Sequence, residues 1–98
     1  MNEKLELYLI NCWCNLDNAF GACEKLAYSA KLDDSAITDL ARTEAERMMT
    51  LLDKARHSIM QKFGYEDYDE FVDYLQDNKK ASWNKVLGNW EVPYEIYL

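Results

Sequence analysis

His57 is the one histidine in the chain, and it stands four residues after Asp53. On a helix that spacing places the two side chains one turn apart, as half of a metal site would have them. No second half accompanies it, because position 54 is lysine and no Glu-x-x-His pair occurs. The histidine therefore reads as a satisfied or exposed side chain. Cys12 and Cys14 lack a second pair at zinc spacing, and Cys23 falls on an apolar line. Small apolar packing groups are the expected role of all three. Asp67-x-Asp69 opens like a calcium loop but fails at the fifth position, Phe71, and at the sixth, where Val72 replaces the required glycine. No glycine-rich phosphate loop, nucleophile elbow or Ser-His-Asp set is present. Catalysis, a cofactor and a metal site are not expected. A ligand binder or small enzyme, if there were one, would have to use Trp13, Cys12, Cys23 and His57.

Carboxylates are the remaining chemistry. The net charge is −7, and almost all of the imbalance sits in residues 64–78. That stretch holds Glu66, Asp67, Asp69, Glu70, Asp73 and Asp77 with no lysine or arginine. Such a distribution disfavours direct nucleic-acid binding, which needs a basic face to neutralise phosphate. Six acids on one short helix also do not make the cleft that glycoside chemistry requires. They do make a docking surface, because Tyr65, Tyr68 and Tyr74 interleave flat rings with spaced negative charge.

The elements that carry these residues follow from periodicity. Leu5, Leu9, Cys12, Leu16, Ala19, Cys23, Leu26 and Ala30 alternate in steps of four and three, which keeps one stripe of a helix facing a partner. Trp13, Phe20 and Ala27 run beside it at seven-residue spacing, widening the apolar face. Asn11, Asn15, Asp17, Asn18, Glu24 and Lys25 are assigned to the wetter side. A second helix carries Ala41, Ala45, Met48, Leu52, Ala55, Ile59 and Phe63 inward. Its acid–base pairs Asp39/Arg42, Glu44/Arg47 and Asp53/Arg56 read as a solvated face. Asn2 suits the first N-cap, and Gly64 a C-terminal cap. The expected fold is all-α and a single domain over 1–98. It consists of a long antiparallel helical hairpin (about 3–31 and 35–63) joined by a short connection at Lys31 to Asp34, followed by a short acidic third helix (about 68–77). In that third helix Tyr68, Phe71, Val72 and Leu75 face inward. A short fourth helical turn over Ser82 to Leu87 and an extended aromatic tail from Trp90 to Leu98 complete it.

Hydrophobic residues make up 49% of the chain and charged residues 30%, values of a folded domain. No run of apolar residues is long enough to span a membrane. The odd number of cysteines argues for a reducing, cytoplasmic setting. Two long helices with wide apolar faces imply an elongated molecule and point to a homodimer, with self-association through Leu9, Cys12, Trp13, Leu16 and Phe20; the alternative is a monomer in which the third helix and the tail close the gap. The expected function is non-catalytic protein–protein interaction. The acidic segment would dock on a basic, nucleic-acid-binding groove of a larger protein, such as a nuclease or other nucleic-acid-handling complex. Small acidic phage inhibitors of the anti-CRISPR and anti-restriction kind work in this way. The alternative is a structural or accessory homodimer or adaptor without an inhibitory role.

Overall fold

The computed structural model describes residues 2–29 and 36–91. The expected connection at 31–34 and the tail residues 92–98 lie outside them. Three helices, α1 (Glu3–Ser29), α2 (Ala36–Lys62) and α3 (Tyr68–Asp77), precede two short strands, β1 (Ser82–Asn84) and β2 (Asn89–Glu91). The protein is mostly helical and elongated, 49 × 27 × 27 Å with a radius of gyration of 15.3 Å. A compact chain of this length would have a radius of gyration near 13 Å.

Local signals set the ends. Asn2 Oδ1 accepts the amide of Leu5 at 2.8 Å and caps α1. At the end of α2, Gly64 takes φ 82°. The amide of Tyr65 donates to Met60 O and that of Gly64 to Gln61 O, both at 3.0 Å, which is the paired arrangement of a Schellman cap. Asp67 caps α3 through the Asp69 amide, 2.8 Å away. The same Schellman pairing ends α3, from Lys80 N to Leu75 O and from Lys79 N to Gln76 O. There the left-handed position belongs to Lys79, at φ 55°.

The segment expected as a fourth helical turn is instead an antiparallel hairpin, with Trp83 opposite Trp90 and Asn84 opposite Asn89. Asn84 decides this. Its side-chain oxygen accepts the amides of Val86 and Leu87 at 3.0 Å, and its carbonyl accepts Gly88 N at 2.8 Å. The turn closes on itself before a helix can propagate. Gly88, at φ 69°, completes it. Val86 and Leu87, in the turn, are 94% and 65% exposed.

The core draws on all three helices and on β2. Ile10, Trp13 and Cys14 of α1 meet Ile59 and Met60 of α2, Phe71 and Leu75 of α3, and Ala81 and Trp90 at the hairpin. Each large side chain removed from water in this way contributes about 1.5–3 kcal/mol. Trp13 lies at the centre, with ring centroids 5.0 Å from Phe71 and 5.7 Å from both Tyr68 and Trp90. The buried line of α1 is accordingly Ile10, Trp13, Asp17, Phe20, Glu24 and Ala27, whose members are buried or half-buried. The four-three stripe is only partly covered, with Leu9 and Leu16 packed against this core. Leu5 and Leu26 are about half exposed, Cys12 and Ala19 are exposed, and Leu9, Leu16 and Cys23 are half-buried.

A lysine in the left-handed region is strained by its Cβ, and glycine is not. Lys79→Gly should therefore raise the unfolding free energy in urea by about 0.5–1 kcal/mol. An unchanged or lowered midpoint would contradict the cap assignment.

Candidate functional site

Two regions concentrate functional groups: a buried carboxylate on α1 with the cleft beside it, and the outer face of α3. Asp17 falls one turn after Trp13, on the buried line of α1, so packing carries it inward to 7% exposure. One oxygen accepts from Arg56 Nη1 at 2.6 Å. The other accepts from the Tyr68 hydroxyl at 3.0 Å and from Trp90 Nε1 at 2.7 Å. A single carboxylate thus receives donors from α2, α3 and β2. The next residue, Asn18, continues the grip on β2. Its amide donates to Trp90 O at 3.1 Å and its oxygen accepts Trp90 N at 2.7 Å, which mimics a neighbouring strand.

Arg56 is likewise buried, at 8% exposure. The Asp53/Arg56 pair was expected on a solvated face, and Asp17 on the wetter side of α1; the structure corrects both. Arg56 reaches Asp53 at 2.7 Å while its Nη1 turns in to Asp17. Its guanidinium carbon lies 3.9 Å from the centroid of the Phe20 ring, a cation–π stack that shields it further. Burial works against the guanidinium charge, but the hydrogen bonds to Asp53 and Asp17 outweigh it and hold its pKa above the usual value. Burial and the neighbouring Asp17 charge push the Tyr68 hydroxyl well above the ordinary tyrosine range. Spacing contained the signal for this cluster: 10, 13, 17, 20, 24 and 27 also alternate in steps of three and four. The two acids on that line masked it.

An open cleft of about 570 Å³ lies beside the cluster, with Asp17, Phe20, Arg56, His57, Tyr68 and Trp83 in its walls. His57 is exposed there. Arg56 Nε is buried without a hydrogen-bond partner, whereas the guanidinium as a whole is already matched by two carboxylates. The buried Cys14 thiol is pushed up to about 12 by burial and by the Asp17 charge, so it is not a nucleophile at neutral pH. Among the described residues, no group of three or more His, Cys, Asp or Glu side chains is placed to hold a metal ion.

The six acids of the α3 region all stand in solvent. Among the described residues none of the six forms an ion pair. The tyrosines beside them are anchored inward. Tyr74 donates to Glu6 of α1 at 3.1 Å, Tyr68 donates to Asp17, and the Tyr65 ring lies 5.3 Å from that of Tyr74 and 5.7 Å from that of Phe71. Tyr68 keeps 40% of its surface exposed. Burial and the Glu6 hydrogen bond raise the Tyr74 pKa. The structure separates the residues expected to self-associate. Cys12 is exposed and Leu9 and Leu16 are half-buried, whereas Trp13 is fully enclosed by the chain's own aromatic rings and Phe20 is stacked on Arg56.

Comparison with known protein families, with curated proteins and with solved structures finds no match. No helix among the described residues is long and apolar enough to cross a membrane.

Removing one member of a buried ion pair leaves the other charged and uncompensated, at a cost of about 3–5 kcal/mol. Asp17→Ala should fall in that range by urea denaturation, because it also strands the Trp90 and Tyr68 donors. Asp53→Ala, which removes the exposed partner of the same arginine, should cost less than about 1 kcal/mol. Equal costs would show that the cluster is not organised around Asp17.

Proposed function

We propose that this is a non-catalytic interaction protein that docks through the outer face of α3 on a basic, nucleic-acid-binding surface of a larger protein and competes with nucleic acid for it. A nuclease or another nucleic-acid-handling complex has the required groove, and the mode of action is that of small acidic phage inhibitors of the anti-CRISPR and anti-restriction kind. The observation that carries the reading is the set of six exposed carboxylates, without cationic partners among the described residues, on and just before a helix held firmly from behind. Glu66, Asp67, Asp69 and Glu70 suit the N-terminal end of α3 electrostatically. Asp73 and Asp77 stand toward the other end, where the helix dipole opposes an anion, so they do not serve the helix that bears them.

Rigid backing matters for such a surface. Phe71 and Leu75 are fully buried, and the hydroxyls of Tyr68 and Tyr74 are tied to α1. The acids can therefore meet a partner without a further ordering cost to the helix. In this reading α1 and α2 are the arms of one antiparallel hairpin that acts as a stiff handle. The setting is cytoplasmic, where Cys12, Cys14 and Cys23 remain reduced.

The test is capture from host-cell lysate with the wild-type chain and with the triple variant Asp69→Asn, Glu70→Gln, Asp73→Asn. The expected complex dissolves in raised salt and is displaced by added duplex DNA. The triple variant should lose it while keeping its helical circular dichroism. A complex that survives both salt and the triple substitution would overturn the reading.

A further inference from the structure

Opposite the side that α3 and the hairpin cover, the α1–α2 pair presents a face with almost no charge. On α1 it is the exposed line Leu5, Cys12, Ala19 and Leu26, seven residues apart. The arc through 5, 8, 12, 15, 19, 22 and 26 carries one charge at its start, Lys4, whose ammonium lies over the Tyr8 ring at 5.9 Å, although charged residues form 30% of the chain. On α2 the face continues through Met48 and Leu51, 41% and 53% exposed. Glu44, which falls between the lines of Met48 and Leu51 on the helix, is held by Arg47 at 2.7 Å, and Lys62 stands at its far end. Apolar areas of this extent on a chain otherwise so polar are covered in the working molecule.

We infer that a second copy of the chain covers this face, so that two α1–α2 pairs close into a four-helix bundle. Three observations select that occupant. The exposed line along α1 recurs every seven residues, the spacing with which one helix receives another along its length. The size fits as well. Each helix has 27 residues and is ~40 Å long, and two side by side at a spacing of ~8–10 Å present roughly 800 Å². That is about the area each partner contributes to a standard stable interface. Charge is the third. Each chain carries −7, and this sparsely charged face is where two copies can approach while both acidic α3 surfaces point outward. Small side chains at Cys12 and Ala19 beside large ones at Leu5, Leu26 and Met48 let the two copies interdigitate.

The interface differs from the one expected from spacing alone. Trp13 and Phe20 belong to the protomer's interior, and the α2 residues Met48 and Leu51 take their place. Each protomer keeps its own docking surface, so the dimer would present two acidic faces at once.

Sedimentation equilibrium on the purified chain tests this. The wild type should show twice the 11.5 kDa chain mass at micromolar concentration, and raised salt should leave the dimer intact or tighten it by screening the like charges. Ala19→Glu and Leu51→Glu, each at an exposed site that a monomer tolerates, should each return the chain to monomer mass with unchanged helical circular dichroism. Val86→Glu, on the hairpin turn at 94% exposure, should remain dimeric. A wild type that stays monomeric throughout the micromolar range would overturn the inference and leave the face to a different partner or to none. A dimer that survives both glutamate substitutions, or dissolves in salt, would place the contact elsewhere and overturn it equally. The acid-neutralised triple variant should still dimerise, which keeps this outcome separate from that of the docking surface.

Discussion

Asp17 is where four pieces of this chain meet. Its two oxygens take donors from Arg56 on α2, Tyr68 at the start of α3 and Trp90 on β2. A buried ion pair gives little net stability, since desolvation consumes most of the attraction. Its effect is directional. A guanidinium, a hydroxyl and an indole N–H can satisfy one carboxylate in few arrangements, whereas apolar side chains can pack in many. The aromatic rings around Trp13 supply the burial, and Asp17 with Asn18 selects which packing is kept. The hairpin depends on this most. Two strands of three residues are too short to stand alone in water, and theirs is held to α1 through the side chain and backbone of Trp90.

With α3 and the hairpin fixed on one side of the long helices, the molecule acquires two unlike surfaces. The outer side of α3 is strongly acidic and backed by a rigid aromatic layer. The opposite side of α1 and α2 is nearly uncharged and unfilled. These properties suit different kinds of contact, since charge gives long-range steering and salt sensitivity whereas an apolar helical face gives a close, salt-tolerant fit. One buried carboxylate therefore indirectly determines where both surfaces lie.

The long helices, α3 and their caps were legible in the sequence because their signals are local and agree with one another. Asn2 and Gly64 each do what their residue types favour at a helix end, and Phe71 and Leu75 face inward at helical spacing. The hairpin was not legible, because Trp83, Val86 and Leu87 also fit one helical face. Only the capping oxygen of Asn84 and the positive φ at Gly88 exclude a helix there. The orientation of α1 was misread for a different reason. Its most apolar stripe is left half open, and its buried line carries Asp17 and Glu24, which hydropathy assigns to solvent. Arg56 was misread with it, since an acid three residues earlier on the same helix is the usual mark of a surface pair. No local pattern announces that an arginine on one helix will neutralise an aspartate 39 residues away. The acids of α3 stand in solvent as expected, while Tyr68 and Tyr74 among them proved to be anchors to α1.

Native-state hydrogen exchange tests the central claim most directly, because it reads the opening of each element separately. If Asp17 binds the elements into one cooperative body, the amide of Trp90 and the inner amides of α3 should exchange through the same global opening as the middle of α1 and α2. Their dependence on denaturant should then merge with that of the long helices. Hairpin and α3 amides that exchange through a separate, low-energy opening, with the long helices still protected, would contradict the account.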